Sequence, residues 1–152
     1  MKTTTLSREL ALKMYQGTDE QMKAFALENY PELGMKIPVR VNTFQDACAI
    51  TGNDPNSGFY TELRPHENAQ RKIETIVQAL NEGWKPNLSD LSERKYYPYF
   101  ERSSSGSGFS CYGYGYDYSV SAVGSRLYLK SQELAVYAGK QFTDLYKVML
   151  TQ

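Results

Sequence analysis

The segment GFSCYGYGYDYSV, residues 108–120, places a tyrosine at every second position. Successive side chains of a β-strand point to opposite faces, so this alternation predicts a strand. One face of that strand carries four bulky rings, those of Tyr112, Tyr114, Tyr116 and Tyr118. The other face carries little beyond backbone, at Gly113, Gly115 and Asp117. The chain must therefore form a sheet whose two faces differ in bulk, and its function depends on which face is buried.

Neighbouring segments predict two further strands and a final helix. The three expected strands are Lys95–Arg102, Gly108–Ser119 and Val123–Lys130, arranged as an antiparallel meander. The serine- and glycine-rich insert at 103–107 and the residues near 121 would supply the turns. A helix is expected from Gln132 to about Met149, capped by Ser131. Gly139 inside this helix would allow a strand or a ring to approach closely.

The first half of the chain has helical patterns. Ser7 is a candidate cap for a first helix ending at Gly17, and Thr18 is one for a second helix. The second helix would bury the face formed by Met22, Phe25, Ala26 and Asn29. GMKIPVRVN, residues 34–42, is expected to be a connector.

Two more helices follow this connector. Thr43 would cap a short helix over Phe44–Ile50 that Gly52 ends. The strongest periodicity covers about Glu67–Glu82, where the apolar positions are Ala69, Ile73, Ile76, Val77 and Leu80. The expected fold class is α+β in a single domain, 1–152. Its helical part covers about 1–84, and a three-stranded tyrosine-rich meander packed with a C-terminal helix covers about 95–150.

The charge balance excludes two classes of nucleic-acid protein. Seventeen Lys and Arg residues offset seventeen Asp and Glu residues, so the net charge is zero. A dedicated duplex-DNA binder carries a basic excess and a DNA mimic a strong acidic one. No apolar run is long enough to span a bilayer, and the N-terminus has no signal-peptide pattern. We expect an intracellular protein located in the cytoplasm, with no membrane partner.

Few residues offer recognisable chemistry. Two cysteines and a single histidine, at 48, 111 and 66, provide too few ligands for a structural zinc site. His66 lies at an expected helix start, where capping or solvation is its simplest role. The glycine-rich GSGFSC lacks both the third glycine of a dinucleotide loop and the lysine of a P-loop. We therefore expect no catalytic residue, no metal and no cofactor. An enzyme would need a carboxylate cluster formed in the fold by Glu62, Glu67, Glu101 and Asp117.

Several motifs carry a resemblance to a known group of proteins. The C-terminal half contains WKP, KYYPYFE, GFS and VGSRLYLKSQELAVYAGKQFTDLYK, and the N-terminal part contains LALKMY and TDEQMKAFALENYPEL. Together they resemble uncharacterised small proteins of Bacteroidales phages and mobile elements, with the most specific similarity over 123–147. The resemblance implies a phage or integrated element in a gut bacterium as the genomic setting. It supplies no catalytic residues.

The tyrosine row has two interpretations. Tyrosine packs well in sheets, so the rings can form an inner face beneath the helices, which is the more common arrangement. The alternative is an exposed platform on which a partner stacks. Arg102 and two residues of a neighbouring strand, Arg126 and Lys130, would supply cations. Tyr128 of the same strand would add a further ring.

On the platform interpretation, we expect a non-enzymatic interaction protein that binds an unidentified macromolecule through the tyrosine- and glycine-rich sheet. A protein partner is favoured over nucleic acid. The alternative is a weak single-stranded nucleic-acid binder that uses the same surface, and an enzyme with a carboxylate site is the third hypothesis.

Overall fold

The structure is a computed structural model that describes residues 6–30, 33, 41–102, 108–118 and 123–152, without the side chains at 8, 9 and 12. Most of the connector at 34–42, the insert at 103–107 and the turn near 121 lie outside the described residues. The described residues form an α+β structure. Contacts divide the chain into two compact units, Met1–Ile37 and Pro38–Gln152. The single domain expected over 1–152 stays a prediction.

The first unit contains two short helices, α1 (Arg8–Gln16) and α2 (Glu20–Asn29). Ser7 caps α1 as predicted, because its Oγ accepts a hydrogen bond from the backbone N–H of Leu10. The prediction that Thr18 caps α2 is wrong, because the Asp19 carboxylate accepts from the first N–H groups instead. A carboxylate at this position also interacts favourably with the positive end of the helix dipole.

A small apolar cluster lies between α1 and α2. Among the described side chains of the first unit, Ala11, Ala26 and Leu33 are buried in it, with partly buried side chains around them. The Tyr30 hydroxyl donates to the carbonyl oxygen of Leu6 at 2.6 Å. Met22 and Phe25 are about half exposed, so the predicted buried face of α2 holds only at Ala26.

The second unit begins with two helices that have clear local signals. Helix α3 (Phe44–Thr51) starts at a capping box in which Thr43 and Asp46 bond to each other's backbone N–H groups. Gly52 ends α3 in the left-handed conformation, with φ at 74°. Helix α4 (Pro65–Asn81) buries all five of the apolar positions predicted from its periodicity. It packs against α3 and against the last helix of the chain.

The sheet has two antiparallel strands, β1 (Lys95–Arg102) and β2 (Phe109–Asp117). Lys95 pairs with Asp117 at one end and Arg102 with Phe109 at the other. The register shifts between Tyr99 and Phe100, so that Tyr112 has no Cα partner on β1. Such a bulge bends the strand and re-aims the extra side chain.

The predicted third strand, Val123–Lys130, is wrong, and the sheet is not a meander. This segment contains a 3₁₀ turn at Ser125–Leu127 and a single β-bridge from Leu129 to Tyr96. That bridge places it beside β1 rather than beside β2. The Asn81 side chain bonds to the Tyr128 carbonyl and the Lys130 N–H, so it occupies the edge of this segment that faces away from Tyr96.

The predicted C-terminal helix is divided into α5 (Gln132–Gln141) and α6 (Thr143–Thr151). Ser131 caps α5 as predicted. Phe142 leaves the helical conformation, and the Thr143 hydroxyl donates to the Gly139 carbonyl at 2.7 Å. A threonine hydroxyl that bonds back to the preceding turn competes with the helix and bends it. Helix α5 consequently packs on both strands, while α6 packs mainly on α4.

Candidate functional site: an exposed tyrosine surface

The row of tyrosines on β2 faces outward. The exposed fractions of Tyr112, Tyr114 and Tyr116 are 70%, 42% and 45%, and Tyr118 is partly exposed. Burial alternates along the whole of β2, with the residues between the tyrosines more buried than the tyrosines themselves. The interpretation of these rings as an inner face beneath the helices is therefore wrong.

Two tyrosines of β1 extend the row into a patch. The Tyr96 ring lies 5.7 Å from the Tyr114 ring and 6.2 Å from the Tyr116 ring, and Tyr99 lies 6.3 Å from Tyr112. Tyr116 meets Tyr118 edge to face at 5.7 Å. We call these residues the tyrosine surface: Tyr96, Tyr99, Tyr112, Tyr114, Tyr116 and Tyr118. The sequence placed Tyr96 and Tyr99 on a strand, but it did not fix the register that brings them to this face.

Arg94 is the cation of the tyrosine surface. Its guanidinium carbon lies 4.8 Å from the centre of the Tyr116 ring and 5.9 Å from that of Tyr118. Its Nε donates to the Tyr118 hydroxyl at 3.0 Å. This hydrogen bond is the first cause of the raised pKa of the Arg94 guanidinium. Arg94 was not predicted, although its position directly before β1 was a signal that could have identified it.

The opposite face of the sheet is the packed one because its side chains are small. Cys111 lies against Gly139 of α5, where an added methyl group would come within 2.5 Å of the Cys111 Sγ. A methyl group at Gly115 would likewise lie 2.5 Å from the Tyr97 ring. The glycine face therefore lets α5 and Tyr97 approach the backbone, which leaves the tyrosines on the outside.

Tyr128 is a correction to the predicted site. It is fully buried, and its hydroxyl donates a short hydrogen bond of 2.5 Å to Oδ2 of Asp117. Its ring also contacts Tyr97 on the packed side of the sheet. The alternation over 123–130 suggested an exposed position because it assumed a strand, and this segment is not one.

The predicted cations do not flank the tyrosines on a neighbouring strand. Arg126 is exposed in the 3₁₀ turn, 3.7 Å from a Glu74 carboxylate oxygen of α4. Lys130 pairs with Glu82 at 3.1 Å. Arg102 is exposed at the end of β1, beside the last turn of α6. Of the eight predicted binding residues, Tyr112, Tyr114 and Tyr116 of β2 and Tyr118 directly after it form part of the tyrosine surface.

The residues considered for chemistry are spread over the fold. Within the described ranges, no three histidine, cysteine or carboxylate side chains form a group that could hold a metal ion. The carboxylates considered for an enzyme site are therefore not assembled into such a group: Glu62, Glu67, Glu101 and Asp117. Both cysteines are free thiols, and burial raises the pKa of each. His66 lies in the first turn of α4, partly buried.

Comparison with known proteins gives no family for this chain. No family model, no curated protein and no solved structure matches it. Among the described residues, no helix is both long enough and apolar enough to cross a membrane.

Proposed function

We propose that this chain is a non-enzymatic interaction protein whose tyrosine surface binds a protein partner. The observation that carries the proposal is a patch of six neighbouring tyrosines on and beside the two-stranded sheet, of which Tyr99, Tyr112, Tyr114 and Tyr116 are exposed. Contiguous exposed aromatic patches are uncommon on proteins that have no partner, and they mark interaction sites. The proposal places the protein in the cytoplasm of a bacterial host, encoded by a phage or mobile element, as the sequence suggests.

The composition of the tyrosine surface suits recognition of a protein. Tyrosine offers a large amphipathic ring with few rotatable bonds, so it loses little conformational entropy when a partner immobilises it. Edge-to-face packing between Tyr96 and Tyr114 and between Tyr116 and Tyr118 already restrains these rings. Arginine and tyrosine are also the residue types enriched among those that dominate binding energy. The patch is therefore preorganised for contact.

The charge around the patch favours protein over nucleic acid. Within the described residues, Arg94 is the cation that packs on the tyrosine rings. Arg126 and Lys130, which the sequence placed beside the tyrosines, instead lie near Glu74 of α4 and near Glu82. Nucleic-acid binding by stacking requires a positively charged groove that follows the backbone. A chain of zero net charge with one cation at its rings provides little attraction for phosphates.

Affinity capture with matched variants tests the proposal. Tagged wild-type protein is used to capture material from a Bacteroidales lysate, with and without nuclease, alongside the double variant Tyr114→Ala, Tyr116→Ala. Leu91→Ala is the control, because Leu91 is an exposed apolar residue of the loop before β1. A partner protein should be captured by the wild type and the control and lost from the double variant. Binding is then measured with the purified partner.

The size of the effect and its salt dependence complete the test. Losing two central rings should weaken binding by roughly a hundredfold, because interface tyrosines commonly contribute about 2 kcal/mol each on truncation and overlap in effect. Tyr116→Phe should retain most of the affinity. Nucleic acid whose binding falls steeply with salt would replace the proposal with the alternative of a nucleic-acid binder. A partner that binds the double variant as tightly as the wild type would refute the proposed surface.

A further inference from the structure

A cleft of about 520 Å³ lies on the second unit, where α4 faces the 3₁₀ turns Gly58–Tyr60 and Ser125–Leu127 and the segment after α4. Its volume is in the range of sites for small molecules. The floor is formed by the buried pair Tyr60 and Thr75, whose hydroxyl oxygens lie 2.9 Å apart. Six lining residues carry its chemistry: Phe59, Arg71, Glu74, Trp84, Lys85 and Arg126. None of them belongs to the tyrosine surface.

The cleft has an excess of positive charge. Arg71, Lys85 and Arg126 line it, and Glu74 is the one carboxylate among the lining residues. Glu74 lies 3.7 Å from Arg126, a distance of ionic contact rather than of a hydrogen bond. Lys85 has no ion pair with any residue that the structure describes. An anion that enters this cleft therefore meets donors that the protein's own carboxylates leave available.

Arg71 is held in position for such a contact. Its guanidinium carbon lies 4.1 Å from the centre of the Phe59 ring, and one of its terminal nitrogens donates to the Phe59 carbonyl at 2.9 Å. The stacking and the hydrogen bond fix the plane of the guanidinium. Its second terminal nitrogen donates a hydrogen bond to none of the described residues. A fixed guanidinium with open donors suits phosphate or carboxylate.

Trp84 adds a flat apolar wall to the cleft. It follows the left-handed Gly83 (φ 88°) after α4, and its backbone N–H donates to the Asn81 carbonyl, which folds the chain back over the helix end. The indole is partly buried, and no described residue accepts a hydrogen bond from its ring N–H. This N–H is not enclosed by protein, so it is accessible to a ligand that enters the cleft.

We infer that this cleft binds a small aromatic anion, with a planar ring against Trp84 and a phosphate or carboxylate group held by Arg71, Lys85 and Arg126. The inference is independent of the tyrosine surface, because the two sites share no residue. A phosphate and a carboxylate would bind to the same three cations, and the experiment below distinguishes between the two groups.

The single tryptophan makes the test direct. In the ¹⁵N-labelled full chain, the one indole N–H cross-peak belongs to Trp84. Adenosine 5′-monophosphate and benzoate are titrated separately, with adenosine and benzyl alcohol as their neutral counterparts. At least one of the two anions should shift the indole cross-peak saturably at millimolar concentration or below, and its neutral counterpart should not. The anion that binds more tightly identifies phosphate or carboxylate as the preferred group.

Matched arginine variants show whether the cleft is responsible. Arg126→Ala should weaken binding of the effective anion about tenfold, the typical effect of losing one charge-assisted hydrogen bond. Arg102→Ala removes another exposed arginine that lies outside the cleft and should leave the affinity unchanged. The inference is overturned if neither anion shifts the cross-peak, if the neutral compounds bind equally well, or if Arg126→Ala binds like the wild type.

Discussion

The Asn81 side chain is buried at the end of α4 and bonds to the backbone of a distant segment. Its Nδ2 donates to the Tyr128 carbonyl at 2.8 Å, and its Oδ1 accepts from the Lys130 N–H at 3.1 Å. One amide group thus satisfies a backbone acceptor and a backbone donor that a neighbouring strand would otherwise pair. Its partners are 47 and 49 residues away along the chain, so the local pattern could not reveal it.

Glu67 makes a local contact that leads to a prediction about pH. Its two carboxylate oxygens each accept a hydrogen bond of 3.0 Å from the Arg64 guanidinium, which lowers the pKa of Glu67 to about 2. We expect the carboxyl carbon of Glu67 in the intact protein to titrate with a midpoint near 2 when its NMR chemical shift is followed. The Arg64→Ala variant should have a higher midpoint, shifted towards the ordinary value of 4.5, because the guanidinium hydrogen bond is the first cause of the lowered pKa.

The direction of the effect on stability follows from this shift. Because the folded state has the lower pKa, the contribution of Glu67 to folding is fully present above the unfolded pKa. It is lost as the pH falls from about 4.5 through about 2. Glu67→Gln should therefore flatten the pH dependence of the unfolding free energy in that range. A wild-type midpoint at the ordinary value would contradict the bidentate contact.

At the scale of elements, the contact between α5 and the sheet depends on a glycine. A methyl group at Gly139 would lie 2.5 Å from the Cys111 Sγ and 2.8 Å from the Pro98 Cβ. Overpacking of this kind costs about 1–3 kcal/mol, while alanine gains about 1 kcal/mol in helix propensity. Gly139→Ala should therefore lower the free energy of unfolding by roughly 1 kcal/mol, and by at most about 2 kcal/mol, in urea denaturation followed by circular dichroism.

A second glycine provides the control for this prediction. A methyl group at Gly113 meets no atom within 4 Å, so Gly113→Ala should leave the unfolding free energy unchanged or slightly raised. Equal destabilisation by both substitutions would show that the effect comes from losing any glycine near the sheet. Stabilisation by Gly139→Ala would show that α5 lies further from Cys111 than this packing requires.

The elements predicted correctly have signals contained within their own segments. Helix α3 follows from the Thr43 cap and the Gly52 stop, and α4 follows from five apolar positions on one face. The β1–β2 pair follows from two adjacent segments rich in alternating aromatic residues. In each case the hydrogen bonds and the periodicity are local, so sequence alone determines the element.

The incorrect predictions concern segments whose conformation depends on contacts with residues far away in the sequence. Alternation over 123–130 resembles a strand, but Gly124 adopts a φ of 83° and the Asn81 amide bonds the edge of the segment that faces away from Tyr96. The pairing of this segment is the single bridge from Leu129 to Tyr96. No glycine or proline lies at Phe142 or next to it, so the sequence did not indicate the break between α5 and α6. The choice of the buried face of the sheet also depends on a residue distant in the sequence, because Gly139 of α5 packs against Cys111 and Pro98.

The same distinction explains how much of the tyrosine surface could be predicted. Period-two alternation gave the β2 tyrosines directly, because it requires only one strand. Tyr96 and Tyr99 join them through the register with β1, and Arg94 joins through ring contacts across the sheet end. Predicting Arg126, Tyr128 and Lys130 required a third strand that does not form. Pairing between strands is therefore the information that the sequence lacked.

At the scale of the whole molecule, the two units differ in what they bury. Among the side chains that the structure describes, the first unit buries Ala11, Ala26 and Leu33, so two of these three apolar residues are alanines. The second buries large side chains of α4, of α5 and of the segment before α5, including Ile73, Leu80, Leu129 and Leu134. Apolar burial supplies most of the stabilisation of a fold, and a segment of fewer than about 40 residues seldom buries enough of it to be stable alone.

Hydrogen exchange in the intact chain should show this difference. We expect backbone amides in α2 to exchange at least about tenfold faster than those in the centre of α4, once both are corrected for intrinsic chemical rates, because local opening costs less where little apolar area is buried. Mass spectrometry of peptides covering 20–29 and 69–80 measures both in one sample. Chain unfolded in denaturant serves as the reference for the intrinsic rates. Equal protection of α2 and α4 would mean that the two units open together, as the single domain expected from the sequence requires.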